Sequence, residues 1–249
     1  MDALTDYKDT NEFITQDGNK IENISIDNFE VEIPYTTPKL VVAIAGGSGA
    51  GKTTLSENLC KGRINRTHLS LDDFFGPYDH LSDEEMVEEN FDHPDALDWF
   101  EIRRVMSCLC DDGVNTTKPT YDFHTGERDW EPIEPNDVLV VEGTHALLPD
   151  RCITEYADLT VFMDTKTETR FKRRILRDME NRGMEPEDTV VEFTERVVPA
   201  HEEWIEPRKW EADIVIPERG TDESVDVLNS YIKQKVGTGL DSLRYSLRT

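Results

Sequence analysis

The feature that most limits how this chain can fold is the run LVVAIAGGSGAGKTTLSENL, from Leu40 to Leu59. It is apolar at first, breaks into glycines, and resumes as an amphipathic pattern. A strand that is apolar at every position is buried on both faces, and such strands belong to parallel sheets covered by helices. Gly46, Gly51, Lys52 and Thr53 fit the spacing G-x-x-x-x-G-K-[ST], directly after the strand and directly before the helix. Glycines there let main-chain N–H groups turn inward on phosphate oxygens, and the helix start adds partial positive charge. Lys52 then reaches the β- and γ-phosphates, and the Thr53 hydroxyl is a ligand for Mg2+. The stretch Gly46, Gly47, Ser48, Gly49, Ala50, Gly51, Lys52, Thr53 and Thr54 is therefore expected to hold a nucleoside triphosphate, ATP, mainly through its backbone.

The rest of the chain repeats the strand-then-helix rhythm. Short apolar runs (THLSL, DVLVVEG, DLTVFMD, ADIVIP) alternate with helical patterns up to about Pro217. That order predicts an α/β domain over 38–249, with a central parallel β-sheet flanked by helices. A helix is expected after Pro94, another from Thr167, and a closing helix over about 224–236. Residues 1–37 carry nine acidic and two basic residues and read as an extension, with one alternating stretch, ISIDNFEVEI, suited to a strand or hairpin.

Charge narrows the partners. Asp and Glu number 53 against 27 Lys and Arg, a net charge of -26, which repels nucleic acid and anionic membranes. No apolar run approaches spanning length, and the opening MDALTDYKDTNEF is polar where a secretion signal is basic and then apolar, so a cytoplasmic protein is expected. With 16 Arg to 11 Lys, this acidic surface suits either a halophile with molar intracellular salt or an acidic mesophilic host. Cys60, Cys108, Cys110 and Cys152 lack paired spacing and are expected as reduced thiols that bind no metal.

Carboxylates mark the chemistry. Glu142 ends the buried strand DVLVVE, where an acid reaches a metal held by Thr53. Asp72 and Asp73 end THLSL, at the sheet edge where ligands sit. Asp92 precedes a proline-started helix, so it is either an N-cap or an acceptor ligand. Arg170, Lys172, Arg173, Arg174, Arg177 and Arg182 form a basic island within about 166–187. An i, i+4 pair of Arg174 with Asp178 explains part of it, and a lid closing over phosphates explains more.

The ordered blocks GGSGAGKTT, LSLDDFF, NFDHPDALD, KPTYDF, VLVVEG, DLTVFMDTKTETRFKRRILRD and ERVVPAHEEWIEPRKWEADIVIPERG resemble the uridine kinase and phosphoribulokinase family of P-loop kinases, from about Lys39 to Gly220. The resemblance implies a P-loop NTPase fold of nucleoside-kinase type with an Arg-rich lid, forming dimers or tetramers. It implies transfer of the ATP γ-phosphoryl group, with Mg2+, to the primary 5-hydroxyl of a small ribose-containing substrate. By position, Asp72 matches the catalytic base beside Lys52, and Asp92 the acid that holds sugar hydroxyls. Phe75 stands where a tyrosine is usual, and Tyr121 and Phe123 match aromatics of the nucleoside pocket. His124 and Arg128 belong to the same acceptor segment, Arg173, Arg174 and Arg177 match lid arginines on the phosphates, and Thr53 with Glu142 matches the metal ligands.

The acceptor is read less sharply. Uridine kinases resemble one another in YDF-x-x-H-[ST]-R, whose histidine reads the pyrimidine, whereas this chain has YDFHTGER, with Gly126 at that place. KPTY, Thr125 with Gly126, IEP and EGTH with His145 resemble phosphoribulokinases instead. Uridine or cytidine is the first expectation, and a pentose phosphate such as ribose 1-phosphate or ribulose 5-phosphate is the alternative. A GTPase switch would carry N-K-x-D, which is missing, and a non-catalytic module would have lost Lys52, Asp72 or Glu142.

Overall fold

The computed structural model describes residues 37–60, 64–76, 90–123, 125–182, 184–218 and 221–237, together with the short strands Phe13–Ile14 and Lys20–Ile21. Residues Met1–Pro34 form one unit, in which those two strands pair antiparallel. The stretch ISIDNFEVEI lies outside the described residues. The second unit, Tyr35–Thr249, holds everything that follows.

Its centre is a five-stranded sheet built from β1 (Leu40–Gly46), β2 (Arg66–Ser70), β5 (Val138–Glu142), β6 (Leu159–Asp164) and β7 (Ile214–Pro217), in the order β2-β5-β1-β6-β7. Every pairing in it is parallel. β1 lies in the middle and is buried along its whole length, as its unbroken apolar run requires. Val41, Ala43 and Ala45 pack on one face with Ile102, Val105, Met106 and Leu109 of α2 (Trp99–Cys110). Val42 and Ile44 pack on the other with Leu55 and Leu59, at and just beyond α1 (Lys52–Asn58), and with Leu228 and Ile232 of α6 (Thr221–Val236). The closing helix thus starts a few residues earlier than its periodicity suggests.

Register brings the chemistry to one edge. Ile44 and Ser70 both lie opposite Glu142, and Gly46 opposite Met163, so the C-terminal ends of β2, β5 and β1 open together. After Pro94 the expected helix is delayed. Pro94–Ala96 is a single 3-10 turn, whose Asp95 N–H donates to the His93 side chain, and α2 begins at Trp99 with the Asp98 carboxylate accepting from the Glu101 N–H. Asp92 therefore caps no helix.

An antiparallel hairpin, β3 (Thr116–Tyr121) with β4 (Arg128–Ile133), stands apart from the parallel sheet. Its sequence, TTKPTY with a proline inside, carries too little apolar pattern to announce a strand. Between the hairpin strands Gly126 adopts φ 71, and its N–H closes a turn on the Asp122 carbonyl at 2.8 Å. A side chain at 126 would be strained in that conformation. Before β6 comes α3, a single turn at Ile153–Tyr156; beyond β6 come α4 (Thr167–Arg182) and α5 (Pro186–Glu192), the last running on through two π-helical turns, Phe193–Val197 and His201–Ile205. Among the described residues no helix is long and apolar enough to cross a membrane, and all four cysteines are free thiols.

Candidate active site

A cavity of about 210 Å³ opens where β1, β2 and β5 end. The loop between β1 and α1 forms its floor. Ser48, Gly49, Gly51, Lys52, Thr53 and Thr54 border it, while Gly46, Gly47 and Ala50 shape the loop from behind. Among the described residues no side chain caps α1, whose first residues, Lys52, Thr53 and Thr54, border the cavity, so a ligand there could take up the free helix start. Lys52 folds back on its own loop, donating to the Gly47 carbonyl at 3.3 Å. Burial holds its ammonium below the ordinary lysine range, against the pull of Glu142 and Asp72. An incoming polyphosphate would add negative charge that favours the ammonium form of this buried lysine.

The loop is braced by the helix it faces. Arg173 donates to the Gly49 and Ala50 carbonyls, each at 3.2 Å, and the Thr165 hydroxyl donates to the Ala50 carbonyl at 3.0 Å. Arg170 is 1% exposed and turns away from the cavity, its Nε donating to the Thr165 carbonyl and its Nη2 to the Thr167 hydroxyl. It is part of the scaffold and not of a lid, because it sits on the helix face that packs against the loop. Gly49 has φ 78, and a Cβ there would lie 2.6 Å from the Arg170 carbonyl. Gly49→Ala is expected to abolish ATP binding, measured by calorimetry, because both the conformation and the close approach reject a side chain. Affinity within a few-fold of the parent would remove this loop from the binding site.

Three oxygens meet where a metal would sit. The Thr53 hydroxyl donates to Glu142 Oε1 at 2.9 Å, and the Ser70 hydroxyl does so at 3.2 Å. Glu142 is 3% exposed, so its carboxylate is not the solvent-facing end of a strand. Burial by itself would raise its pKa, but the nearby His68 ring, Lys52 and the Thr53 hydroxyl outweigh that and keep it below the ordinary range. An ionised carboxylate beside a hydroxyl is an oxygen donor pair suited to Mg2+, which keeps most of its shell for water and phosphate. Among the described residues no cluster of three His, Cys, Asp or Glu side chains could hold a metal alone.

The other end of the cavity is aromatic. Phe75 is ringed by Phe91, Tyr121 and Phe123, with centroids 5.5, 5.6 and 5.4 Å away. Phe75, Phe91 and Phe123 border the cavity, and Tyr121 backs them. Asp72, exposed on the 3-10 turn Leu71–Phe74, borders it opposite Asp92. The neighbouring Asp73 is tied instead to Lys118 at 2.6 Å, and Lys118 also pairs with Glu131 at 2.7 Å, anchoring the hairpin to this corner. Arg128 is drawn away, paired with Asp98 at 3.1 Å and lying over Trp130, and it does not border the cavity. His124 lies outside the described residues.

Arg173, Arg174 and Arg177 all border the cavity, but they differ. Arg174 is 4% exposed and joins four elements. It donates to Ser48 Oγ at 3.1 Å and pairs with Asp92 at 3.3 Å, Asp178 at 3.0 Å and Glu192 at 2.8 Å. The pair with Asp178 is thus present yet buried, not part of a solvated face. Burial alone would lower the Arg174 pKa, and the three carboxylates more than reverse it. Phe91, Thr144 and Lys118 are residues that motif reading passed over. Phe91 was legible only as the residue before Asp92, and Lys118 only as the first letter of KPTYDF.

Comparison with known proteins fits this geometry. The model of the Phosphoribulokinase / Uridine kinase family matches residues 41–225. A uridine kinase from Halobacterium salinarum is 37% identical over 204 residues, covering 80% of this chain and 88% of that protein. A uridine kinase from Oceanobacillus iheyensis is 33% identical over 208 residues, covering 81% and 97%. Among solved structures, phosphoribulokinase from Rhodobacter spheroides superposes with a TM-score of 0.54 at 18% identity, over 73% of this chain and 70% of that one, which speaks for the fold.

Proposed function

Because the chain belongs to the phosphoribulokinase/uridine kinase family, we propose that it is an ATP-dependent kinase that phosphorylates the 5-hydroxyl of uridine or cytidine. The observation that carries the choice of acceptor is the aromatic end of the cavity, where Phe75, Phe91 and Phe123 meet. Rings of this kind stack on a planar base and offer nothing to a second phosphate. The bordering cations belong to the loop and to α4, and Arg174 is already matched by three carboxylates.

In this reading Lys52, the loop amides, Arg173 and Arg177 hold the triphosphate and neutralise charge as the γ-phosphoryl group moves. Asp92 holds sugar hydroxyls. Asp72 receives the proton of the attacking 5-hydroxyl while the bond from the γ-phosphorus to the β-γ bridging oxygen breaks. Thr53 and Glu142 are the residues that would hold Mg2+, which when bound spreads the phosphate charge.

The test is ADP release with ATP and Mg2+ across uridine, cytidine, adenosine, guanosine, ribose 1-phosphate and ribulose 5-phosphate, at low and molar KCl. Turnover on uridine or cytidine, with little on the sugar phosphates, is the expected result. Turnover on a pentose phosphate alone would mean that the aromatic end is no base site and that the phosphoribulokinase-like residues around Gly126 carry the specificity. A rate that rises into molar KCl would assign the acidic surface to a salt-rich cell.

A further inference from the structure

His145 lies in the loop that follows β5, three positions beyond Glu142, and is 2% exposed. Its Nε2 is 3.1 Å from the main-chain oxygen of Asp92. Its Nδ1 is buried and has no hydrogen-bond partner among the described residues. A carbonyl oxygen can only accept, so Nε2 carries the proton and Nδ1 is left as a bare lone pair. The single contact and the unpartnered Nδ1 therefore agree on one tautomer. An imidazole buried for one hydrogen bond costs more than an apolar side chain of that size would. The Nε2–H is thus the part of this residue that the position uses.

We propose that His145 is a positioning residue for the acceptor: its Nε2–H fixes the main chain of Asp92 and so sets the Asp92 carboxylate and the Phe91 ring against the substrate. Among the described residues three partners hold Asp92. Its N–H donates to Asn90 Oδ1 at 3.1 Å, its carboxylate receives Arg174 Nη1 at 3.3 and 3.4 Å, and its carbonyl receives His145. The Asn90 contact is local and the Arg174 contact comes from α4. Of these three, the His145 contact is the one that ties Asp92 to the loop directly after β5 and Glu142. His145 does not border the cavity, so it acts through Asp92. Burial lowers its pKa to about 4, with Asp92 pulling upward and Lys52 and His93 downward, so the ring is neutral at working pH.

This inference rests on the acceptor reading above, and its test separates the two. His145→Leu removes the donor, His145→Gln offers an amide N–H at similar reach, and His145→Asn carries a donor too short to reach. The Leu and Asn variants are expected to raise the acceptor KM about ten-fold, the size of one lost hydrogen bond to a buried carbonyl. Their KM for ATP and their slow ATP hydrolysis without acceptor stay unchanged, and Gln restores the acceptor KM. If Leu fails to fold, Asn against Gln decides the matter. Both KM values rising together, or no rescue by Gln, would overturn the proposal, since a merely structural role predicts either. Nitrogen-15 NMR of the ring gives a readout independent of any acceptor. The Nε2–H tautomer is expected, and the Nδ1–H tautomer overturns the proposal even if the acceptor is not a nucleoside.

Discussion

Asp72→Asn should lower turnover by about a thousand-fold while leaving the melting temperature unchanged. General-base catalysis contributes about 10²–10⁴-fold, and asparagine keeps the size of the side chain but can take no proton. Asp72 stands exposed on a short 3-10 turn at the end of β2 and borders the cavity, so the fold does not depend on burying it. Its charge is one of two that hold up the pKa of buried Lys52, the other being Glu142. The variant should therefore also weaken the lysine's grip on phosphate, and a modest rise in the KM for ATP is expected beside the fall in kcat. Coupled ADP release and a thermal melt check both halves. Turnover within ten-fold of the parent would take the base away from Asp72, whereas a lost fold would make its role structural.

Arg174→Ala should damage both stability and catalysis, which separates it from its neighbour Arg173. The Arg174 guanidinium is buried among Asp92, Asp178 and Glu192, and Asp178 is 0% exposed. Removing one partner of a buried ion pair leaves the other charge uncompensated, at a cost of about 3–5 kcal/mol. Arg177, which also contacts Asp178 at 3.0 Å, offsets part of that cost, so the lower end is expected in equilibrium urea unfolding. The fraction that stays folded should show kcat falling by more than KM rises, because Arg174 holds Ser48 of the phosphate loop and Asp92 in place, and misplaced groups cost most in the transition state. Arg173→Ala, at an exposed position that donates to the Gly49 and Ala50 carbonyls, should cost little stability. Equal and small losses from both substitutions would mean that the three carboxylates find other partners.

These two residues show what could be read from the chain and what could not. Asp72 was legible because it ends an apolar run, and in a parallel sheet the strand ends form the ligand edge. Arg174 was legible as part of a basic island, but an i, i+4 pattern does not distinguish an exposed helix face from one pressed against a loop. Arg170 carries the same sequence signal and lies buried behind that loop. The N-cap alternative for Asp92 failed because Asp98 and His93 take the capping positions. Which of several acidic residues caps a helix depends on where the chain turns, and Pro94 delays that turn.

The α/β architecture, the phosphate loop and the pairing of Thr53 with Glu142 follow from the sequence alone. Each rests on local pattern: apolar runs long enough to be buried, glycines at set spacing, and a carboxylate at a strand end. The order of the strands, the hairpin that Lys118 ties to Asp73, the place of Phe91 beside Phe75 and the contact of His145 with Asp92 were decided only by tertiary structure. They join residues far apart in the chain, whose side chains take part in no period and meet only once the sheet has set its register.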